Sequence, residues 1–324
     1  MKTISRLLGI FLISAILSNP VFAKDKEVRI GTQAMFSAQS LAIAKGYFAE
    51  EFQKLGLKVQ IINADTGRDI NNGLASKSID FGFLGTTPFV VANQRGLDSQ
   101  SFFVDFFYRN NEAIVVKKGT DIKSVADLKG KKIAVPLGTS SHYLLNEALK
   151  IHNLSLNDVE IVDLIPQDIF AAWSRNDIEV AVLWDNVLSS LQNSEVLFSD
   201  EDLSKNGILN VCLHIARKEF LDKNPEYVQA YIRALERAIA DYKQDFNAAN
   251  EVLAKYFSLP PEEAKKYLEK PMWKNLAQQK EIYSADFHKQ LYQVALFLKE
   301  NDYLPKINAE EEFKKLIRSE FINE

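Results

Sequence analysis

Three short segments of this chain share a chemistry. Leu84-Gly85-Thr86-Thr87-Pro88 and Leu137-Gly138-Thr139-Ser140-Ser141 each place hydroxyl side chains between a strand-like apolar run and a helical pattern. Gly31-Thr32-Gln33, with Ser37 just beyond it, has the same design after the first strand-like run. At a helix start the first backbone N–H groups have no partner within the helix, and the dipole adds partial positive charge there. Hydroxyls beside such groups make a receptacle for an anion. For any one segment, Thr87 or Ser141 acting as an N-cap is the simpler account. Three of them at strand C-terminal ends, where open α/β sheets hold ligands, favour a binding site that includes Gln33, Thr86, Thr87, Thr139, Ser140 and Ser141. None carries the lysine of a G-x-x-x-x-G-K loop, which argues against a nucleoside triphosphate.

Two acidic residues could complement an amine on the same ligand. Glu112 opens a strand-like run, and Asp185 follows Trp184 at the end of another. A carboxylate next to an aromatic ring suits an ammonium group through charge pairing and cation–π attraction. The competing account makes Glu112 a solvated strand end and Trp184 a core aromatic; Trp173 reads as packing. Catalytic arrangements are poorly supported. His142, His152, His214 and His288 have no metal-ligand spacing, and neither Ser140 nor Ser141 sits in a G-x-S-x-G elbow. Cys212 and His214 would share one strand face, but a thiol in an apolar strand is usually inert core. No catalytic residue, metal or cofactor is therefore expected.

The elements that would position these residues alternate. Glu27–Ile30, Lys58–Ile62, Asp80–Phe83 and Ser101–Phe107 read as strands, with Ser37–Leu55 as a helix between the first two. Ala113–Val116, Lys132–Val135, Val159–Val162 and Glu179–Leu183 repeat the pattern, with helices at Ser141–Ile151 and Asp168–Ser174. Leu209–Ala216 is one more strand, and the chain beyond Asn224 is helical. Strand–helix alternation predicts parallel sheets covered by helices. With no flexible linker in view, two α/β domains joined by two crossing strands are expected, the crossings near Asn111–Val116 and Asn210–Ile215. Residues 24–111 and 214–324 would form the first domain and 112–213 an inserted second one, with the ligand cleft between them.

The N-terminus reads as an export signal. Lys2 and Arg6 precede an apolar run from Leu7 to Leu17, and Val21-Phe22-Ala23 offers a small-x-small cleavage site, giving a signal peptide over residues 1–23. The run is short for a membrane anchor, and no cysteine lies near the cleavage site for lipid attachment. The chain carries a net charge of −4, and losing Lys2 and Arg6 would make it −6, a poor surface for nucleic acid. The single cysteine excludes an internal disulfide, so the core alone must hold this exported fold.

Several runs are familiar together. Glu112-Ala-Ile-Val-Val-Lys-Lys118, Asp127-Leu-Lys-Gly130, Ile133-Ala-Val-Pro136, Thr139-Ser-Ser-His-Tyr143 and Ala171-Ala-Trp-Ser-Arg-Asn-Asp-Ile178 with Trp184 resemble the taurine-binding periplasmic proteins of ATP-driven importers. These belong to a wider group that binds aliphatic sulfonates, nitrate and thiamine precursors. The likeness is closest over 112–185 and looser in the first domain, through Gly73-Leu-Ala-Ser76, Asp80 and Leu84-Gly-Thr-Thr-Pro88. It implies a type II periplasmic-binding-protein fold that closes on a small anionic or zwitterionic organic ligand. It also implies a periplasmic location, a monomer, and an ABC permease in the inner membrane with its cytoplasmic ATPase as partners. Carried over residue by residue, Glu112, His142, Tyr143 and Trp184 become ligand candidates. The resemblance also exposes a departure: Cys212 stands where the taurine-binding branch carries an acid, with His214 at a nearby aromatic position, and Asp185 replaces a small uncharged residue. Either Asp185 supplies the missing carboxylate or the ligand lacks an amine. Amine-free sulfonates, nitrate, bicarbonate and thiamine precursors stay open as ligands. So do an enzyme like the thiamine-pyrimidine synthases and a sensor serving a chemoreceptor.

Overall fold

The computed structural model describes residues 27–108, 111–269, 272–284 and 286–322. The expected signal peptide lies outside them. β1 (Glu27–Thr32), β2 (Lys58–Asn63), β3 (Phe81–Gly85), β4 (Ser99–Phe107), β10 (Val211–Arg217) and β11 (Met272–Trp273) form one sheet, in the order β11-β4-β10-β3-β1-β2. β5 (Glu112–Lys117), β6 (Lys132–Val135), β7 (Glu160–Asp163), β8 (Val180–Trp184) and β9 (Ser194–Ser199) form a second, in the order β7-β6-β8-β5-β9. Helices α1 (Ala38–Ala44), α2 (Tyr47–Gln53), α3 (Gly67–Ala75) and α4 (Thr86–Gln94) interleave with the first sheet. α5 (Ser140–Ile151), α6 (Pro166–Ser174), α7 (Asp185–Ser190) and α8 (Asp200–Lys205) interleave with the second. The chain after β10 is mainly helical: α9 (Lys218–Lys223), α10 (Pro225–Gln244), α11 (Phe246–Phe257), α12 (Pro261–Leu268), α13 (Leu276–Ser284) and α14 (Phe287–Glu300).

Both sheets follow one scheme. β1 runs parallel to β2 and β3, and β6 runs parallel to β7 and β8. Next to each parallel set lies an antiparallel strand that has just arrived from the other sheet: β10 in the first, β5 in the second. The transfers are made between the strands and not within them. Among the described residues β5 pairs only in the second sheet and β10 only in the first, while the Tyr108 amide donates to the Asn210 carbonyl at 3.0 Å between them. Residue 214, the expected point of return, therefore falls inside β10.

Burial explains the strand patterns. β3 is buried at every position because helices cover both its faces, whereas β2 at the sheet edge is only partly covered. On one face of the first sheet Leu41, Phe48 and Phe52 pack with Tyr231 and Leu235 of α10; on the other, Ile70, Leu74 and Phe89 pack with Leu291, Val294 and Leu298 of α14. The second sheet is covered by Leu144, Leu145 and Leu149 of α5 on one side and by Ile169 and Trp173 of α6 on the other. The Trp173 indole donates to the Gln192 carbonyl at 2.9 Å, a packing role. The helix expected over 37–55 is two helices, broken at Gly46, whose φ of 76° is left-handed backbone that glycine adopts without strain. No helix among the described residues is long and apolar enough to cross a membrane.

Candidate functional site

The parallel strands of both sheets end toward a common cleft. Its floor encloses about 20 Å³, lined by Gln33, Met35, Gly67, Gly85, Pro88 and Tyr108 from the first lobe and its connection, and by Glu112, Thr139, Ser140 and Trp184 from the second. That is room for one water and little more, so the lobes must part to admit any larger ligand. α3, α4 and α5 all begin here. The approach is close: a Cβ built on Gly85 would stand 3.3 Å from Ser140 Oγ and 3.6 Å from the Tyr108 hydroxyl oxygen.

The caps of these helices decide which polar groups remain for a ligand. α3 is closed by its own capping box, Thr66 with Asp69. α5 is capped by Thr139, whose hydroxyl accepts from the His142 amide, and α4 has Gly85 at its N-cap with no side-chain cap. Thr87 and Ser141 are thus not caps. Each is the second residue of its helix, and each hydroxyl oxygen is buried without a hydrogen-bond partner among the described residues. Their equivalent neighbours are occupied: Thr86 donates to the Val211 carbonyl at 3.1 Å, and Ser140 donates to Glu112 Oε1. A buried hydroxyl left without a partner costs about 1–3 kcal/mol; Thr87 and Ser141 sit just behind the cavity lining, which α4 and α5 reach through Gly85, Pro88 and Ser140.

Glu112 touches the start of α5 through the Ser140 hydroxyl and lines the cavity beside it. It pairs with Trp184 across β5 and β8, placing carboxylate and indole side by side. The Asn210 side chain donates to Glu112 Oε2 and to Asp200 Oδ1, both at 3.0 Å, and the Glu112 amide donates to Asp200 Oδ2 at 2.9 Å. One connecting segment is thereby tied to the cleft wall. Asp185 begins α7 directly after Trp184; its side chain lies outside the described residues. The Gln33 side-chain amide donates to the Phe83 carbonyl at 2.9 Å and borders the cavity.

Four expected site residues, His142, Tyr143, His214 and Cys212, lie away from the cavity lining. His142 turns away from the cavity, its ring edge-on to Phe297 and Tyr303 with centroids 5.0 Å from each. Burial pushes its imidazole down to about 4, against a smaller upward pull from Asp163. Tyr143 packs on Phe297 at 5.3 Å, and burial raises its phenol far above the usual range. His214 is in the core of the first lobe, with Nε2 2.9 Å from Asp105 Oδ2 and Nδ1 3.0 Å from the Tyr231 hydroxyl. Asp105 also accepts the amides of Ala38 and Gln39 at 3.0 and 3.2 Å, which caps α1 behind the loop bearing Gln33 and Met35. Cys212 is fully buried beneath the cavity wall, its Sγ 3.3 Å from the Tyr108 hydroxyl.

Met35, Gly67 and Tyr108 are lining residues that local sequence motifs did not single out. Only Gly67 carried a signal, the Thr66-Gly-Arg-Asp69 capping box that starts a helix after β2. Among the described residues no cluster of metal-ligating side chains occurs.

Two sheets of this order enclosing a cleft define the periplasmic-binding-protein fold, and the comparisons agree. Residues 34–249 match the NMT1/THI5-like family, and the chain belongs to it. It is 29% identical to the taurine-binding periplasmic protein of Escherichia coli K12, over 96% of this chain and 97% of that protein. The crystal structure of the periplasmic aliphatic sulphonate binding protein SsuA from Escherichia coli superposes with a TM-score of 0.74 at 26% identity, covering 89% of this chain and 96% of the other. The alkanesulfonate-binding protein SsuA from Xanthomonas axonopodis, solved with MOPS, gives a TM-score of 0.76 at 23% identity over 92% and 99% of the two chains, and so shares the fold. These relatives are binding proteins, not enzymes, and this chain is grouped with them.

Proposed function

We propose that this protein captures a small organosulfonate, taurine before others, and delivers it from the periplasm to an ABC permease driven by a cytoplasmic ATPase. The observation that carries the reading is the pair of unpartnered hydroxyls, Thr87 and Ser141, one on each lobe at a helix N-terminus. A sulfonate offers three acceptor oxygens and a permanent charge. Two hydroxyl donors, uncapped helix N–H groups and two dipole ends supply what such a group needs when water is removed. Glu112 beside Trp184 gives the far end of a taurine molecule a carboxylate and an aromatic face for its ammonium group. The names of relatives that bind taurine and aliphatic sulfonates support the same class.

The test is a thermal-shift panel on the mature protein with taurine, ethanesulfonate, nitrate, bicarbonate and a thiamine pyrimidine. Taurine at a hundredfold excess over its dissociation constant should stabilise the fold by about 2.7 kcal/mol. A shift with ethanesulfonate but none with taurine would remove the amine from the reading. A shift with nitrate or bicarbonate alone would remove the sulfonate.

A further inference from the structure

We propose that His142 and Tyr143 of α5, with Phe297 of α14 and Tyr303 just beyond it, form a latch between the lobes that sets ligand affinity without touching ligand. Helix α5 has two apolar faces. Leu144, Leu145, Ala148 and Leu149 pack into the core of its own lobe. A helix that only covered its own sheet would present polar residues on the remaining side. Instead His142 and Tyr143 are buried, and Tyr143 joins the core of the other lobe with Leu84, Phe89 and Phe297.

The seam continues along the helix at i, i+4 spacing. His142 sits between the Phe297 and Tyr303 rings, interplanar angles 68° and 69°, in the edge-to-face arrangement that aromatic pairs prefer. Asn301 donates to Asn146 Oδ1 at 3.5 Å, and Lys150 pairs with Glu300 at 3.0 Å. None of these residues lines the cavity. Yet α14 also packs on α4, whose first turn holds Thr87, so the seam and the ligand end are braced by one pair of helices. Opening the cleft exposes the rings that the seam buries. The seam therefore favours approach of the lobes over the open form, and for a ligand held with the seam in contact, apparent affinity scales with the fraction of molecules so arranged.

The proposal rests on the reading above only in that the lobes close on a ligand, and its test is independent of which ligand that is. Spin labels at Arg68→Cys and Gln167→Cys, both exposed and in the first turns of α3 and α6 on the two lobes, report the separation of the lobes; the native Cys212 is buried and stays unlabelled. In ligand-free protein, Tyr303→Ala and Phe297→Ala should each move the distance distribution toward longer values. With a bound sulfonate, each should weaken affinity by about tenfold or more, chiefly through faster dissociation. Leu253→Ala of α11, in the core on the other face of the first sheet, should lower stability but leave both readouts unchanged. Identical distributions in the parent and both latch variants would overturn the latch. Altered distributions in a protein that binds no sulfonate would uphold the latch and overturn the ligand reading.

Discussion

The substitution Thr87→Val, alone and with Ser141→Ala, separates a binding hydroxyl from a structural one, because the two roles predict opposite signs. Valine keeps the shape of threonine and removes only the hydroxyl. In the ligand-free protein that hydroxyl oxygen is buried without a partner among the described residues, so its removal should leave stability unchanged or raise it. Bound to a sulfonate oxygen, the same hydroxyl donates to a charged acceptor, an interaction worth about 1.5–3 kcal/mol. Its loss should weaken binding roughly 10- to 150-fold. The double variant should lose more than either single one, with the two effects not strictly additive because both donors serve one anion. The assays are urea denaturation without ligand and calorimetric titration with taurine. A Thr87→Val protein destabilised by more than about 1 kcal/mol, with affinity unchanged, would show that the hydroxyl is structural and that the reasoning fails.

Other predictions follow from the same geometry. Glu112→Gln should weaken taurine by roughly tenfold or more and ethanesulfonate far less, since only taurine carries a cation for the carboxylate; equal losses, read by titration, would remove Glu112 from amine recognition. Closure buries His142 neutral, with its imidazole held at about 4 instead of 6.5, so protonation opposes closure. Affinity should thus be level above about pH 6.5 and fall as pH drops from there toward 4, by up to roughly a hundredfold. Asp163 offsets part of this, and Glu147, Lys150 and Glu300 are the charges along the seam. A His142→Phe variant should flatten the profile in a pH series of titrations. Tyr231→Phe strips His214 Nδ1 and the Gln39 side-chain amide of a buried partner and should cost about 1–3 kcal/mol in urea denaturation.

The sequence carried the architecture well because apolar periodicity reports burial directly. Strands such as β1, β2, β6 and β8 were legible within a residue or two, since β-branched runs between glycine- and hydroxyl-rich turns have few other readings. β9 was not, because Ser-Glu-Val-Leu-Phe-Ser lies at a sheet edge and is only partly buried, which weakens its pattern. The break at Gly46 was hidden because apolar spacing runs across it, and only the positive φ ends the first helix.

The site was legible to the level of its helix starts and no finer. Consecutive residues in a helix point about 100° apart, so a run such as Ser140-Ser-His-Tyr143 cannot all face one ligand. Which of them turns away depends on α14, more than 140 residues further along, and that packing draws His142 and Tyr143 into the seam. His214 was misplaced for a similar reason. It shares a strand with Cys212, but its partners Asp105 and Tyr231 lie on β4 and α10, which no local motif announces. Tyr108 sits in a connecting segment whose position between the lobes exists only after both sheets have formed.

If the starts of α4 and α5 hold a sulfonate, the sulfur atom of taurine allows a direct look. Crystals of the mature protein grown with taurine should show an anomalous sulfur peak between the first turns of α4 and α5. It should lie within about 4 Å of both Thr87 Oγ1 and Ser141 Oγ, one S–O bond beyond hydrogen-bond distance. A bound taurine whose sulfur lies beside Glu112 and Trp184, or outside the cleft, would contradict the account.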